Sequence, residues 1–347
     1  MKGMSQYGAV ATKIRAMRSH LLKKEEYEYI ANCSSVTDMI NYLKGHPGYS
    51  AALQNMDTVN LRREYAERHL ANAVFMDIEK ISHFLDNKQK KFLAVYSTIF
   101  ELRFLNNVLR CIFNKYTDIS GLTVYRPMFE NTKNFRFDAV IQVTDIPGLI
   151  DALSGSIYQP PIQKTYEMLE NAKLFDYETS LSRFYFSNFW SELEKFHSSF
   201  DKETLLEVHG VELDLLNIIW VYRTKAYYDV PPRDIFQFLI PAHHKLKQSQ
   251  LTSMVLAESP EEVLRLVEGT YYSKYISRED NTSLERAYNE TLSQINAKTR
   301  LKYPYSFAVI ESYIYDKRIE AERIIRIAES VRYGYDPALI LKVLQIS

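Results

Sequence analysis

The chain has 347 residues, 46% of them hydrophobic and 25% charged, a composition that excludes a disordered polymer and suits two or three packed units of about 100 to 150 residues each. Forty-three basic residues balance 43 acidic ones, so no global field draws the chain to nucleic acid or to an anionic membrane surface. Its only cysteines, Cys33 and Cys111, lack CxxC spacing, which excludes a disulfide framework and a zinc ribbon and points to a reducing cytoplasm.

Glycine (10) and proline (11) each make up roughly 3% of the chain, below the usual ~7% and ~5%, so helix-breaking positions are scarce and an all-α fold is expected. Met1–Val10 lacks an apolar signal core, and the longest apolar stretch, Leu215–Tyr222 between Asp214 and Arg223, is eight residues, too short to cross a bilayer. Along the chain, Ser35–Gly45 reads as a short capped helix, and the basic cluster Lys88–Lys91 as a solvated helix end. Leu102, Leu105, Val108, Leu109 and Ile112 form an amphipathic helical stripe. The stretch 118–138 follows no pattern, and Phe135–Val143 is the main strand candidate.

Asp145–Gly155 reads as another short helix. The dense aromatic run Phe184–Trp190 fills a helical core by default and is an interface candidate where its rings are exposed. Glu194 and His197 make a single Glu-x-x-His, where a di-iron bundle needs two plus further glutamates. Leu213, Leu216, Ile219 and Trp220 form a second long stripe; His243 and His244, about a hundred degrees apart on a helix, suit a solvated loop better than a shared metal. Ser259–Gly269 is a third short helix, with Val263, Leu264 and Val267 on its apolar face. Near the end, Ile324, Ile325, Ile327 and Val331 form a last stripe; on the same segment Arg323, Arg326 and Arg332 stand beside Glu320, Glu322 and Glu329, where mutual pairing is expected.

The three short helices are copies of one element: Ser35–Gly45, Asp145–Gly155 and Ser259–Gly269 align without gaps, and a tyrosine follows each, Tyr49, Tyr158 and Tyr272. Ser35, Asp145 and Ser259 are placed to cap the first turn; Asp38 and Glu262 sit in capping-box position, Gly148 breaks that feature in the middle copy, and Pro260 suits the first helical position. Gly45, Gly155 and Gly269 are expected to stop the helices in the left-handed conformation, so that Ser259→Ala with Gly269→Ala costs a few kcal/mol. A second repeated element, Glu101 with Asn106 and Asn107, recurs as Glu212 with Asn217 at close to the same period. Glu322–Gly334 resembles the start of a further unit and is placed to pack against the first unit and close the array.

The motifs of common catalysts are missing: there is no GxxxxGK[ST], GxGxxG, GxSxG or HExxH. The reading is of a chain with no catalytic, cofactor-binding or metal-binding residues, and no contact residues for a partner are assigned. A helical-repeat scaffold of an unrelated complex shares these signals.

Tyr7–Leu22, followed by Tyr27 and Ser35–Gly45, is similar to the opening of the C subunit of prokaryotic V/A-type rotary ATPases, whose counterpart in the vacuolar enzyme is the d subunit. The resemblance continues through the three capped helices to Ile324–Gly334, and departs most at Pro147-Gly148. It implies three divergent helical repeats, 1–98, 99–209 and 210–347 with a closing C-terminal helix, around a pseudo-threefold axis in a funnel. It also implies a non-catalytic, peripheral, central-stalk role on the cytoplasmic side of the membrane. There a socket would link the shaft subunits of the soluble sector to the proteolipid ring in proton or sodium transport, without nucleic acid and without a membrane span of its own.

Overall fold

A computed structural model describes residues 2–56, 63–115, 120–129, 132–170, 172–195, 199–228, 230–276, 284–344 and 346. Among the described residues every regular element is a helix, and the fold is all-α. The strand candidate 135–143 is therefore corrected: it holds the single helical turn Phe137–Val140, followed by a turn. Phe135, Phe137, Val140 and Ile141 are all buried there, an apolar grouping that a bend and one turn of helix satisfy without a partner strand. In the stretch 118–138, the described residues form a 3₁₀ turn, Ser120–Tyr125, and the short helices Arg126–Phe129 and Phe137–Val140.

The three repeated helices form where the capping chemistry places them. Ser35 and Ser259 accept hydrogen bonds from the amides of Asp38 (3.1 Å) and Glu262 (3.2 Å) through their hydroxyls, and the Asp145 carboxylate accepts from the Gly148 amide (2.7 Å). Each satisfies a first-turn donor that a helix leaves open. The reciprocal half of the capping box is altered: Glu262 accepts from the amide of Glu258, one residue before the cap, and Asp38 accepts from the hydroxyls of Ser34 and Ser35. Twelve residues before Ser35 and Ser259 a second cap repeats, in which the Lys23 amide donates to Glu26 (2.8 Å) and the Lys247 amide to Gln250 (3.0 Å).

The expected left-handed glycine occurs at one position in three, and there it lies beyond the helix end at Ala152. Gly155 has φ +75°, whereas neither Gly45 nor Gly269 is left-handed; Gly269 lies at φ −83°, ψ 9°, and the first helix ends at His46 in extended conformation. A helix can leave its last turn through a bridge-region or extended residue, so glycine there is permitted rather than required. A Cβ on Gly269 meets only the Leu266 carbonyl, at 3.6 Å. Ser259→Ala is accordingly expected to cost about 1 kcal/mol and Gly155→Ala a similar amount. Gly269→Ala should stay within about 0.5 kcal/mol, so the cost of the double substitution should lie within about 0.5 kcal/mol of that of Ser259→Ala alone. Urea midpoints of the four variants check this.

The chain forms two compact units. One comprises Met1–Lys90, Cys111–Gly155 and Val309–Ser347. In it the helices Lys24–Ala31, Val36–Gly45 and Ser50–Leu53 pack in sequence, and Ser50–Leu53 also meets the long helix Arg63–Ser82. Ile14, Ile30, Met39, Ile40, Leu43, Leu53, Leu70, Ile81, Ile310, Ile324 and Ile327 are all fully buried. The basic cluster in 88–91 opens the helix Asn87–Phe113, with Lys88, Lys90 and Lys91 exposed and Asp86 capping the amides of Lys88 and Gln89, as a solvated helix end should be.

The other unit comprises Lys91–Arg110 and Ser156–Ala308. Its core is centred on the helix Ser199–Tyr227, whose Val208, Val211, Leu215, Ile218, Ile219 and Val221 cluster with Leu251, Met254, Val255, Val263, Val267 and Ile295 of the helices Gln248–Leu256, Pro260–Glu268 and Leu284–Lys302. At roughly 1.5–3 kcal/mol per buried aliphatic side chain, this cluster is the main stabilising term of the unit. The aromatic run 184–190 lies on the helix Leu174–Glu194 and none of its rings is exposed. Tyr185 and Phe189 join Phe92, Tyr96, Phe307 and His209 in an aromatic cluster, while Phe186 and Trp190 cover Leu213, Ile240 and Ala242. Helical spacing of four brings the first pair to one face, which is the core-filling outcome rather than the interface one.

Candidate functional site

The most informative constellation is repeated three times: a buried tyrosine bonded to a buried carboxylate. Tyr49, Tyr158 and Tyr272, each at most 1% exposed, follow the three capped helices. The Tyr158 hydroxyl donates to Glu101 Oε2 (2.6 Å), that of Tyr272 to Asp214 Oδ2 (2.7 Å) and that of Tyr49 to Glu320 Oε1 (2.7 Å). All three carboxylates come from long helices, Asn87–Phe113, Ser199–Tyr227 and Phe307–Tyr333. Glu320 on the last long helix thus serves the first tyrosine as Glu101 serves the second and Asp214 the third.

The match extends to the backbone. Asp214 also accepts the amides of His244 (3.0 Å), Lys245 (2.7 Å) and Leu246 (2.8 Å), and Glu320 accepts the amide of Leu22. Leu22 and Leu246 each precede the lysine that starts the repeat's first cap. One carboxylate therefore ties the entry to the repeat and the tyrosine at its exit. Burial, reinforced by the adjacent carboxylate charge, raises the pKa of Tyr49, Tyr158 and Tyr272 well above the ordinary phenol value. These hydroxyls hold their protons, and the pairs act as pins.

The sequence placed the repeated acid at Glu212, two residues away. Glu212 instead meets His209 Nδ1 (2.9 Å) and the Tyr288 hydroxyl (3.0 Å), and the acid that meets the repeat tyrosine is Asp214. The missed signal was an acid between Leu213 and Leu215, at the border of the longest apolar stretch of the chain, where burial makes only a fully satisfied carboxylate tolerable. Asn217, also fully buried, exchanges hydrogen bonds with the backbone of Ile240 (2.9 and 3.2 Å).

On the helix Phe307–Tyr333 the expected pairing of Glu320 with neighbouring arginines is corrected. Its partner is Lys317 (2.8 Å), 1% exposed, while the Arg323 charge acts on the Tyr27 hydroxyl. Lys317 Nζ also stands 3.4 Å from the centroid of the Tyr49 ring, a close cation–π contact. Burial lowers the Lys317 pKa, against the pull of Glu320. The same helix is held further by Tyr313, whose hydroxyl donates to Asp77 (2.6 Å), and by Arg18, which bonds Asp316 and Ser312.

His243 and His244 lie in a loop, His243 exposed and His244 half-buried with its ring 3.6 Å from Glu207; His197 of the Glu-x-x-His lies outside the described residues. Among the described residues no group of three or more His, Cys, Asp or Glu is placed to hold a metal, and no helix is long and apolar enough to cross a membrane. The open cavities among the described residues include one of about 840 Å³ beside Glu25, Glu28, Asp38 and the paired rings of Tyr29 and Tyr42, and one of about 820 Å³ between the helices Gln159–Met168, Leu174–Glu194 and Pro232–Phe238.

These features define an all-helical protein of repeated, tyrosine-pinned units. The model of the ATP synthase (C/AC39) subunit family matches residues 10–343, and the chain belongs to that family. It is 25% identical over 346 residues to the C subunit of the A-type ATP synthase of Methanosarcina barkeri, covering 97% of this chain and 92% of the relative. It is 24% identical to the corresponding protein of Methanosarcina mazei (98% and 92% covered) and 22% identical to that of Pyrococcus abyssi (96% and 89% covered). The chain is thus an accessory subunit of an ATP synthase complex, not a catalytic one, and has partner subunits.

Proposed function

We propose that this chain is the central-stalk coupling subunit of its complex, a socket that links the rotor shaft to the proteolipid ring on the cytoplasmic face of the membrane, in proton or sodium transport. In this reading the repeats 1–98, 99–209 and 210–347 stand about a common axis as a funnel, and the chain is peripheral. The observation that carries it is the threefold tyrosine–carboxylate pin, with Glu320 of the last long helix serving Tyr49 of the first repeat. A body that passes torque must not shear internally, and charge-assisted bonds of 2.6–2.7 Å at equivalent points in each repeat suit that demand. Broad contact with two partners then transmits the load.

The test is reconstitution of the purified chain with the shaft subunits of the same complex and with the detergent-solubilised ring. A complex containing all three, assembled only when this chain is present, is the expected result. Binding to neither would favour a scaffold role elsewhere and end this reading.

A further inference from the structure

The turn that delivers Tyr49 to Glu320 is built on a histidine in one protonation state. His46, 9% exposed, ends the helix Val36–Gly45, and its carbonyl accepts the amides of Tyr49 (2.9 Å) and Ser50 (2.8 Å). The Gly48 amide donates to His46 Nδ1 (3.1 Å), so Nδ1 must carry a lone pair; Nε2 then bears the proton and faces Glu26 Oε1 at 3.2 Å. Position 48 has no room to adjust: a Cβ there would lie 2.6 Å from the His20 carbonyl oxygen and 3.2 Å from Lys317 Nζ.

The charges around the ring come from each element packed against it. Glu26 stands on the helix Lys24–Ala31, Lys317 and Glu320 on the helix Phe307–Tyr333, and His20 in the loop after Lys2–Arg18. Burial is the largest effect and lowers the His46 pKa; Lys317 and His20 lower it further, and Glu26 and Glu320 oppose them. A second proton on the ring turns Nδ1 from acceptor to donor, pointing at another donor, and adds a cation beside Lys317.

We propose that His46 is an acid-sensitive latch on the closing helix: protonation at Nδ1 expels the Gly48 amide, opens the 46–49 turn and withdraws Tyr49 from Glu320, loosening the segment 309–333 within its unit. Because the folded pKa is depressed, the closed latch is fully favoured above the free-histidine value near pH 6.5 and loses stability as pH falls through the folded value. One proton limits the response to about tenfold in the opening constant per pH unit.

The test is amide hydrogen exchange on the full chain between pH 7.5 and 5.0, corrected for intrinsic exchange, with ¹⁵N shifts of the His46 ring recorded in parallel. Exchange at Gly48, Tyr49 and residues 309–333 should accelerate as pH falls below about 6.5, by up to about tenfold per pH unit, and level off once the folded His46 ring itself binds its second proton. His46→Asn, whose Oδ1 can accept the Gly48 amide at every pH, should flatten the response. Equal acid sensitivity in that variant, exchange that does not change with pH, or a ring that takes up its second proton above pH 6.5 would each overturn the proposal. The ring shifts are read on the unmodified chain, so a variant that fails to fold leaves that arm decisive.

Discussion

Asp214→Ala is expected to destabilise the second compact unit by about 4 kcal/mol or more, the upper range for a single substitution. Asp214 is fully buried and satisfies four donors: three consecutive amides, His244 to Leu246, and the Tyr272 hydroxyl. Alanine supplies no acceptor, and a buried donor left unpaired costs about 1–3 kcal/mol. Tyr272→Phe removes one donor together with its share of the bond, and should cost about 1–2 kcal/mol. Asp214→Asn should fall between the two, since its amide keeps one acceptor oxygen but turns two hydrogens toward donors. Both tryptophans, Trp190 and Trp220, belong to this unit, so their fluorescence during urea unfolding reads it directly. A shift for Asp214→Ala no larger than that for Tyr272→Phe would mean that water or backbone movement satisfies the loop, and that the carboxylate is not its anchor.

What the sequence disclosed, and what it did not, divides by range of interaction. The three N-caps were legible because a cap is settled within four residues: Ser35, Asp145 and Ser259 each bond the amide three positions on, whatever lies elsewhere. The repeat tyrosines were visible as a spacing, but their meaning lay in carboxylates far along the chain. Glu101 was flagged, whereas Glu212 was chosen over Asp214 because both sit on one helix and local pattern cannot say which side faces the repeat. Gly45 and Gly269 misled because a glycine after a helix admits a left-handed stop without imposing one. The run 135–143 misled for a related reason: alternation of Phe135 and Phe137 is a two-residue sample, which one bend satisfies as well as a strand. Lys317 gave no signal at all, since a lysine among arginines on an amphipathic helix reads as solvated, and only the fold shows that its turn of the helix faces inward.

Lys317→Met should cost about 3–5 kcal/mol, because it leaves Glu320 ionised in a buried setting with only hydroxyl and amide donors for company. Methionine fills the stem of the lysine and keeps contact with the Tyr49 ring, so the loss isolates the charge rather than the volume. The double substitution Lys317→Met with Glu320→Gln removes both charges, while the glutamine Oε1 still accepts the Tyr49 hydroxyl. It should therefore be more stable than Lys317→Met alone, with a coupling of about 1–3 kcal/mol between the two sites. Neither tryptophan lies in this unit, so the readout is amide exchange at Tyr49 and along 309–333, which should move before tryptophan fluorescence does. Additivity of the single effects within about 0.5 kcal/mol would show that the two charges do not stabilise each other. The Tyr49 pin would then rest on hydrogen bonding alone, and the buried lysine would be a packing element that carries a charge at a cost.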